Sequence, residues 1–129
     1  MKPRILIVDD DEAITQQLSW TLSEDYDVLT ANDMQTAVRR ATLFEPMVSI
    51  LDLHLPPHPH SPEVGLRLLE YIKAHIPDSK VLVITGAKGL ETSEACDAVG
   101  ADGLLHKPFD IELLISTMRR MAPRSLDFA

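Results

Sequence analysis

A single cysteine, Cys96, rules out an internal disulfide and fits a reducing compartment. No apolar run approaches the length of a membrane span. Met1-Lys2-Pro3-Arg4 leads directly into a strand-like segment, without the longer apolar stretch and cleavage site that a signal peptide needs. Basic residues are outnumbered: 12 Lys and Arg stand against 20 Asp and Glu, a formal net charge of -8. Nonspecific nucleic-acid binding needs clustered Lys and Arg, so the balance argues against it. There is no internal repeat, no interdomain linker and no coiled-coil heptad. What remains is a soluble, cytoplasmic class of chain whose 129 residues suit one domain with one core. The excess of acids fits a site for a divalent cation, although surface carboxylates would give the same total.

The chain is organised around Val48-Ser49-Ile50-Leu51-Asp52-Leu53-His54-Leu55-Pro56-Pro57. Residues that favour a buried strand run straight into an acid, and a proline pair soon follows. In open parallel α/β sheets, ligands bind at the carboxyl ends of strands, so this strand delivers Asp52 to a site.

Other segments repeat the arrangement. Ile5-Leu6-Ile7-Val8 is a short apolar run, read as a strand buried on both faces, and it ends in Asp9-Asp10-Asp11-Glu12. Asp11 is placed to cap a helix from about Glu12, with Ile14, Leu18 and Leu22 on its inner stripe and Trp20 off it, half exposed. Tyr26 to Ala31 reads as the second strand. Asn32 or Asp33 caps the next helix, with Ala37, Val38 and Ala41 inward and Pro46 as its stop. Met47 to Leu51 is the third strand.

The following loop carries prolines at 56, 57, 59 and 62, which excludes a helix or a central strand. Gly65 closes it. Leu66, Leu69, Ile72 and Ile76 mark a third helix, ended by Pro77. Lys80 to Ile84 is the fourth strand, terminating in Thr85-Gly86, and Gly86 and Gly89 bracket a mobile connection. A fourth helix covers roughly Glu91 to Val99, stopped by Gly100. Asp102 to Leu105 is the fifth strand, followed by His106-Lys107-Pro108-Phe109. Asp110 caps a last helix with Ile111, Leu114, Ile115 and Met118 inward. Such alternation of strands and helices implies a parallel sheet covered on both faces. It also places Asp9, Asp10, Asp52, Thr85 and Lys107 at one edge of that sheet.

Taken together, Ile7-Val8-Asp9-Asp10, Leu51-Asp52-Leu53-His54-Leu55-Pro56, Ile84-Thr85-Gly86 and Lys107-Pro108-Phe109 resemble, in order and from end to end, the receiver domain of bacterial two-component response regulators. The resemblance implies a flavodoxin-like α/β fold, a doubly wound five-stranded parallel sheet of order 2-1-3-4-5. It assigns residues 1–122 to a receiver domain and 123–129 to a tail or the start of a linker. Three converging carboxylates repel one another, and a bound cation relieves that. Mg²⁺ (or Mn²⁺) suits oxygen ligands. Asp10 and Asp52 are the expected direct ligands, with Asp9 acting through water, and the resemblance adds the backbone carbonyl of His54. Asp52 then accepts a phosphoryl group from a sensor histidine kinase, a phosphotransfer protein or a small phosphodonor. Lys107 and the Thr85 hydroxyl each serve a phosphoryl oxygen. The Thr85 bond is also the switch, shifting the loop from Gly86 to Gly89 and the face made by the fourth helix, fifth strand and fifth helix. Where the family carries an aromatic switch partner, this chain has Leu104. Apart from phosphotransfer to itself and autodephosphorylation, no enzymatic activity is expected.

Rival readings are weighed beside this one. His54, His58 and His60 invite a transition-metal site, against a solvated, proline-stiffened loop. Pro56 to Gly65 is longer than the corresponding span of common receivers, so the loop could dock a partner or partly cover the site. The His54 side chain is expected near the phosphate, where it would tune dephosphorylation. An Asp-nucleophile phosphohydrolase would carry a second acid where His54 stands. A receiver-like module that is never phosphorylated would tolerate loss of site residues, and all five are present. Arg124-Ser125-Leu126-Asp127-Phe128-Ala129 leaves no room for an effector domain, so a stand-alone receiver and one separated from its output domain both stay open. A phosphorylation-dependent homodimer through the fourth helix, fifth strand and fifth helix is a further possibility, although dimer-forming family members tend to have an acid where Gly103 lies.

Overall fold

The structure, a computed structural model, describes residues 2–86 and 90–124. Five strands alternate with five helices: β1 Arg4–Val8, α1 Glu12–Leu22, β2 Asp27–Ala31, α2 Met34–Phe44, β3 Val48–Asp52, α3 Glu63–His75, β4 Lys80–Thr85, α4 Leu90–Val99, β5 Gly103–His106 and α5 Ile111–Met121. The strands form one parallel sheet of order β2-β1-β3-β4-β5. This is the doubly wound architecture expected from the sequence.

Two cores follow from the period-two alternation of strand side chains. Leu6, Val8, Leu51, Val81 and Val83 point to one face, where Ala37 and Ala41 of α2, Leu68, Leu69 and Ile72 of α3 and Cys96 of α4 cover them. Ile5, Ile7, Val48, Ile50, Leu82 and Ile84 point to the other, beneath Leu18 and Leu22 of α1 and Leu114 and Met118 of α5. Burial on both faces explains why the central strands read as continuous apolar runs rather than alternating ones.

Acids start three helices. Asp11, Asp33 and Asp110 accept from the backbone N–H of Ala13, Thr36 and Glu112 at 2.9, 2.8 and 2.8 Å. Of the two caps considered for α2, Asp33 serves. Gly100 ends α4 at φ +98°, in the left-handed region that glycine favours.

Some expectations need correction. Trp20 is 87% exposed rather than half exposed, because α1 buries Thr15, Leu18 and Leu22 instead. Gly65 does not close the loop; it lies in the first turn of α3, where a Cβ would stand 2.2 Å from the Leu53 Cα. Helix packing on the backbone of the β3 exit demands a glycine there. Leu68, absent from the expected stripe, is fully buried, whereas Leu66 is only partly so. Asp102 stands before β5 because its carboxylate accepts the Val81 N–H at 2.8 Å and pairs with Lys73 at 3.0 Å. At Gly103, a Cβ would meet Met121 Cε at 2.8 Å and Leu82 Cδ1 at 3.1 Å, so an acid has no room without repacking. The expected mobile connection lies mostly outside the described residues (Ala87 to Gly89), as does the tail from Ser125.

Candidate functional site

β1 and β3 end in buried acids, at the same edge of the sheet. Asp9 follows Val8 directly; its backbone N–H donates to the Ala31 carbonyl at 3.1 Å, and its own carbonyl accepts from the Asn32 amide at 2.9 Å. Its carboxylate is wholly buried, with Oδ1 accepting the Asp11 N–H at 2.9 Å. Asp52 is the last residue of β3, 5% exposed, and its Oδ1 accepts the His54 N–H at 3.0 Å. In each case the backbone N–H two residues on fixes one carboxylate oxygen.

Lys107 comes one residue after β5. Its backbone N–H donates to the Thr85 carbonyl at 2.8 Å, which fastens the β5–α5 connection to the end of β4. Its Nζ lies 2.9 Å from Asp9 Oδ2 and 3.1 Å from Asp52 Oδ2. One ammonium therefore bridges two buried carboxylates. Asp10 is exposed, and its carboxylate stands with those of Asp9 and Asp52 so that one oxygen of each lies within 4.8 Å of the others.

The electrostatics favour the cation more than the acid. Burial pushes the Asp52 carboxyl above its ordinary value of 3.8; the His54 N–H opposes this, the Asp9 charge adds to it, and Lys107 opposes it. For Lys107, burial is the largest single effect and pulls down, but the hydrogen bond to Asp9 and the charges of Asp52 and Asp9 outweigh it and hold the amine above 10.5. A simple ion pair would lower the acid and raise the base. Here the acid goes the other way because burial, with the Asp9 charge added to it, outweighs the His54 N–H and the shared Lys107. With all groups ionised, three carboxylates face one ammonium. This donor set of hard oxygens with surplus negative charge fits a divalent cation such as Mg²⁺; Asp10 and Asp52 would hold it, with Asp9 alongside.

Of the residues singled out from sequence, Asp9 and Asp52 are both in reach of Lys107, and Asp10 stands with the two acids. Thr85, fully buried, ends β4 at the same edge and is tied to Lys107 through its carbonyl. Leu104 stands opposite Val83 in β5 and packs partly buried against the core under α3 and α4. His54 contributes its N–H to Asp52, and its ring Nε2 is buried with no partner among the described residues. His54, His58 and His60 form no metal cluster: among the described residues, Asp9, Asp10 and Asp52 are the one group of three or more suited to an ion. Asn32, named only as a possible cap, turns out to clamp the Asp9 carbonyl. The pairing of Val8 with Ala31 sets it beside Asp9, a register that sequence alone does not supply.

The profile of the response regulator receiver domain matches residues 5–119. The chain is 30% identical over 122 residues to the probable transcriptional regulatory protein TcrX of Mycobacterium tuberculosis, covering 94% of this chain and 50% of that protein. It is 32% identical over 126 residues to the response regulator MprA of Mycobacterium ulcerans, covering 97% and 52%. The chain thus spans about half the length of these relatives. Among solved structures, the BeF3-activated DrrB receiver domain superposes with a TM-score of 0.84 at 26% identity, covering 94% of this chain and 97% of that one; DrrB is from Thermotoga maritima.

Proposed function

This chain belongs to the response regulator receiver family, and on that premise we propose that Asp52 is its phosphoacceptor. The observation that carries the reading is the triangle of Asp9, Asp52 and Lys107, closed at 2.9 and 3.1 Å and nearly cut off from water on its acidic side. Family members take phosphate from histidine kinases. In this chain an Asp52 oxygen would form the bond to phosphorus as the bond from phosphorus to the donor imidazole nitrogen breaks, its electron pair leaving with the imidazole. A divalent metal would supply charge that offsets the phosphoryl oxygens. Asp10 and Asp52 would hold it with the His54 carbonyl, and Asp9 would act through water.

Lys107 then has a second task. Its ammonium, already placed 3.1 Å from Asp52, can follow the new phosphoryl oxygen while keeping Asp9. The Thr85 hydroxyl would donate to a third oxygen. That bond would draw on the end of β4 and alter the α4–β5–α5 face, with Leu104 leaving more room than an aromatic would. The His54 ring would tune dephosphorylation, and equal rates in wild type and His54→Ala would exclude that role. Control of an output domain or protein partner, residence in the cytoplasm and a phosphorylation-dependent homodimer belong to the same reading.

Incubation with acetyl phosphate and Mg²⁺ tests it by intact mass. Wild type should gain one phosphoryl group; Asp52→Asn, or wild type in chelator, should not. A folded, Mg²⁺-binding wild type that gains nothing would favour a constitutive interaction module. Multiple turnover of a phosphate ester would favour a phosphohydrolase.

A further inference from the structure

Two of the three clustered acids are fixed through their own carboxylates. Asp9 is held by the Asp11 N–H and Lys107, and Asp52 by the His54 N–H and Lys107. Asp10 differs. It is exposed, and among the described residues no hydrogen bond or ion pair holds its carboxylate. Yet one of its oxygens lies within 4.8 Å of an oxygen of each of the other two acids. Its direction therefore has to come from the backbone.

A residue has two soft dihedrals, which relate the peptide planes on either side of it. Both planes flanking Asp10 are pinned. The Asp10–Asp11 peptide gives its N–H to Asp9 Oδ1 at 2.9 Å. The Asp9–Asp10 peptide has its carbonyl held by the Asn32 side-chain amide, also at 2.9 Å. The first bond is a local turn, whereas the second joins residues 23 positions apart. Just before it, β1 and β2 are still joined through the Asp9 N–H and the Ala31 carbonyl at 3.1 Å. β2 ends at Ala31, and the chain turns into α2 with Asp33 as cap. Asn32 thus prolongs the hold on β1 with a side-chain donor where the strand has stopped. Because Asn32 is exposed, water can satisfy the same carbonyl in its absence. Water is not tethered to β2, however, and leaves that peptide free to rotate.

We propose that Asn32 is a positioning residue for the cation site: by holding the Asp9 carbonyl it fixes the Asp9–Asp10 peptide and so aims the Asp10 carboxylate at the point shared with Asp9 and Asp52. The proposal rests on the reading of that point as the place where a divalent cation serves the phosphoacceptor. Asn32 itself touches neither the cation nor the phosphoryl group. It acts through Asp10, and its loss weakens cation binding more than it weakens the fold.

The test compares wild type with Asn32→Ala and with Asn32→Leu, which keeps a side chain of similar span but has no donor. Mg²⁺ is titrated into each whole chain by calorimetry. Both variants should show a dissociation constant raised roughly three- to tenfold, the worth of one hydrogen bond. The Mg²⁺ concentration for half-maximal phosphoryl uptake from acetyl phosphate should rise by the same factor. In metal-free protein the Asp9 carbonyl carbon and Asp10 amide resonances should move, while the urea midpoint stays close to that of wild type. Variants that match a Mg²⁺-binding wild type would overturn this proposal alone. Wild-type affinity in Asn32→Leu beside a loss in Asn32→Ala would also overturn it, since the side chain would then only fill space. So would a weakened affinity accompanied by a large drop in the urea midpoint, the mark of a merely structural role. A folded wild type that binds no Mg²⁺ would overturn the underlying reading of the site and this proposal with it.

Discussion

Lys107 Nζ stands 3.1 Å from Asp52 Oδ2 and, from the same position, 2.9 Å from Asp9 Oδ2. The ammonium is the counter-ion of two acids on different strands, so its loss affects both. Lys107→Ala leaves two buried carboxylates facing each other. Removing one partner of a buried pair costs about 3–5 kcal/mol; Lys107 keeps 23% of its side chain exposed, which puts the expected loss toward the lower end. Urea unfolding in chelator at neutral pH measures it. Added Mg²⁺ should return part of the loss, because cation binding to the native state stabilises by mass action. Equal stability of variant and wild type in chelator would contradict the shared counter-ion.

The Asp52 shift has a definite sign in pH. Its carboxyl is raised in the folded state by burial, so the unfolded chain ionises first. As pH rises from the unfolded value through the raised one, wild type loses stability relative to Asp52→Asn, and the difference levels off above the raised value. Lys107 behaves oppositely at the other end of the scale: its raised amine contributes fully below its unfolded value and the contribution is lost as pH climbs through the folded one. Stability curves of wild type and Asp52→Asn in metal-free buffer, compared across the acid range, check the first part. A gap that is constant with pH would exclude the raised carboxyl.

Gly65 is the tightest joint between the site strand and its helix. A Cβ would lie 2.2 Å from Leu53 Cα and 2.5 Å from the Leu53 carbonyl oxygen, both backbone. Gly65→Ala must therefore push α3 away from the β3 exit. The gain in helix propensity of about 1 kcal/mol is smaller than the expected penalty of overpacking, about 1–3 kcal/mol. Net destabilisation in urea melts is the predicted outcome, together with slower phosphoryl uptake, because the joint sits one residue beyond Asp52. A more stable variant would contradict the contact.

Much of this was legible in the chain itself. Apolar runs ending in Asp9, Asp52 and Thr85 announce strands buried on both faces with chemistry at their carboxyl ends, because such strands cannot hide a carboxylate anywhere but at the exit. Caps at Asp11 and Asp110 were equally plain. What stayed hidden depends on contacts between distant segments. Asn32 reaches Asp9 through a strand register, Asp102 is diverted to Val81 and Lys73, and Gly65 owes its identity to a backbone across the loop.

The central claim concerns one carboxylate among three. Borohydride reduces an acyl phosphate to the alcohol, so treatment after acetyl phosphate and Mg²⁺, followed by peptide mass spectrometry, reads which acid carried phosphorus. The account predicts homoserine at position 52, with Asp9 and Asp10 unchanged. Label at either of those acids, or at none in a protein shown to be folded, would contradict it.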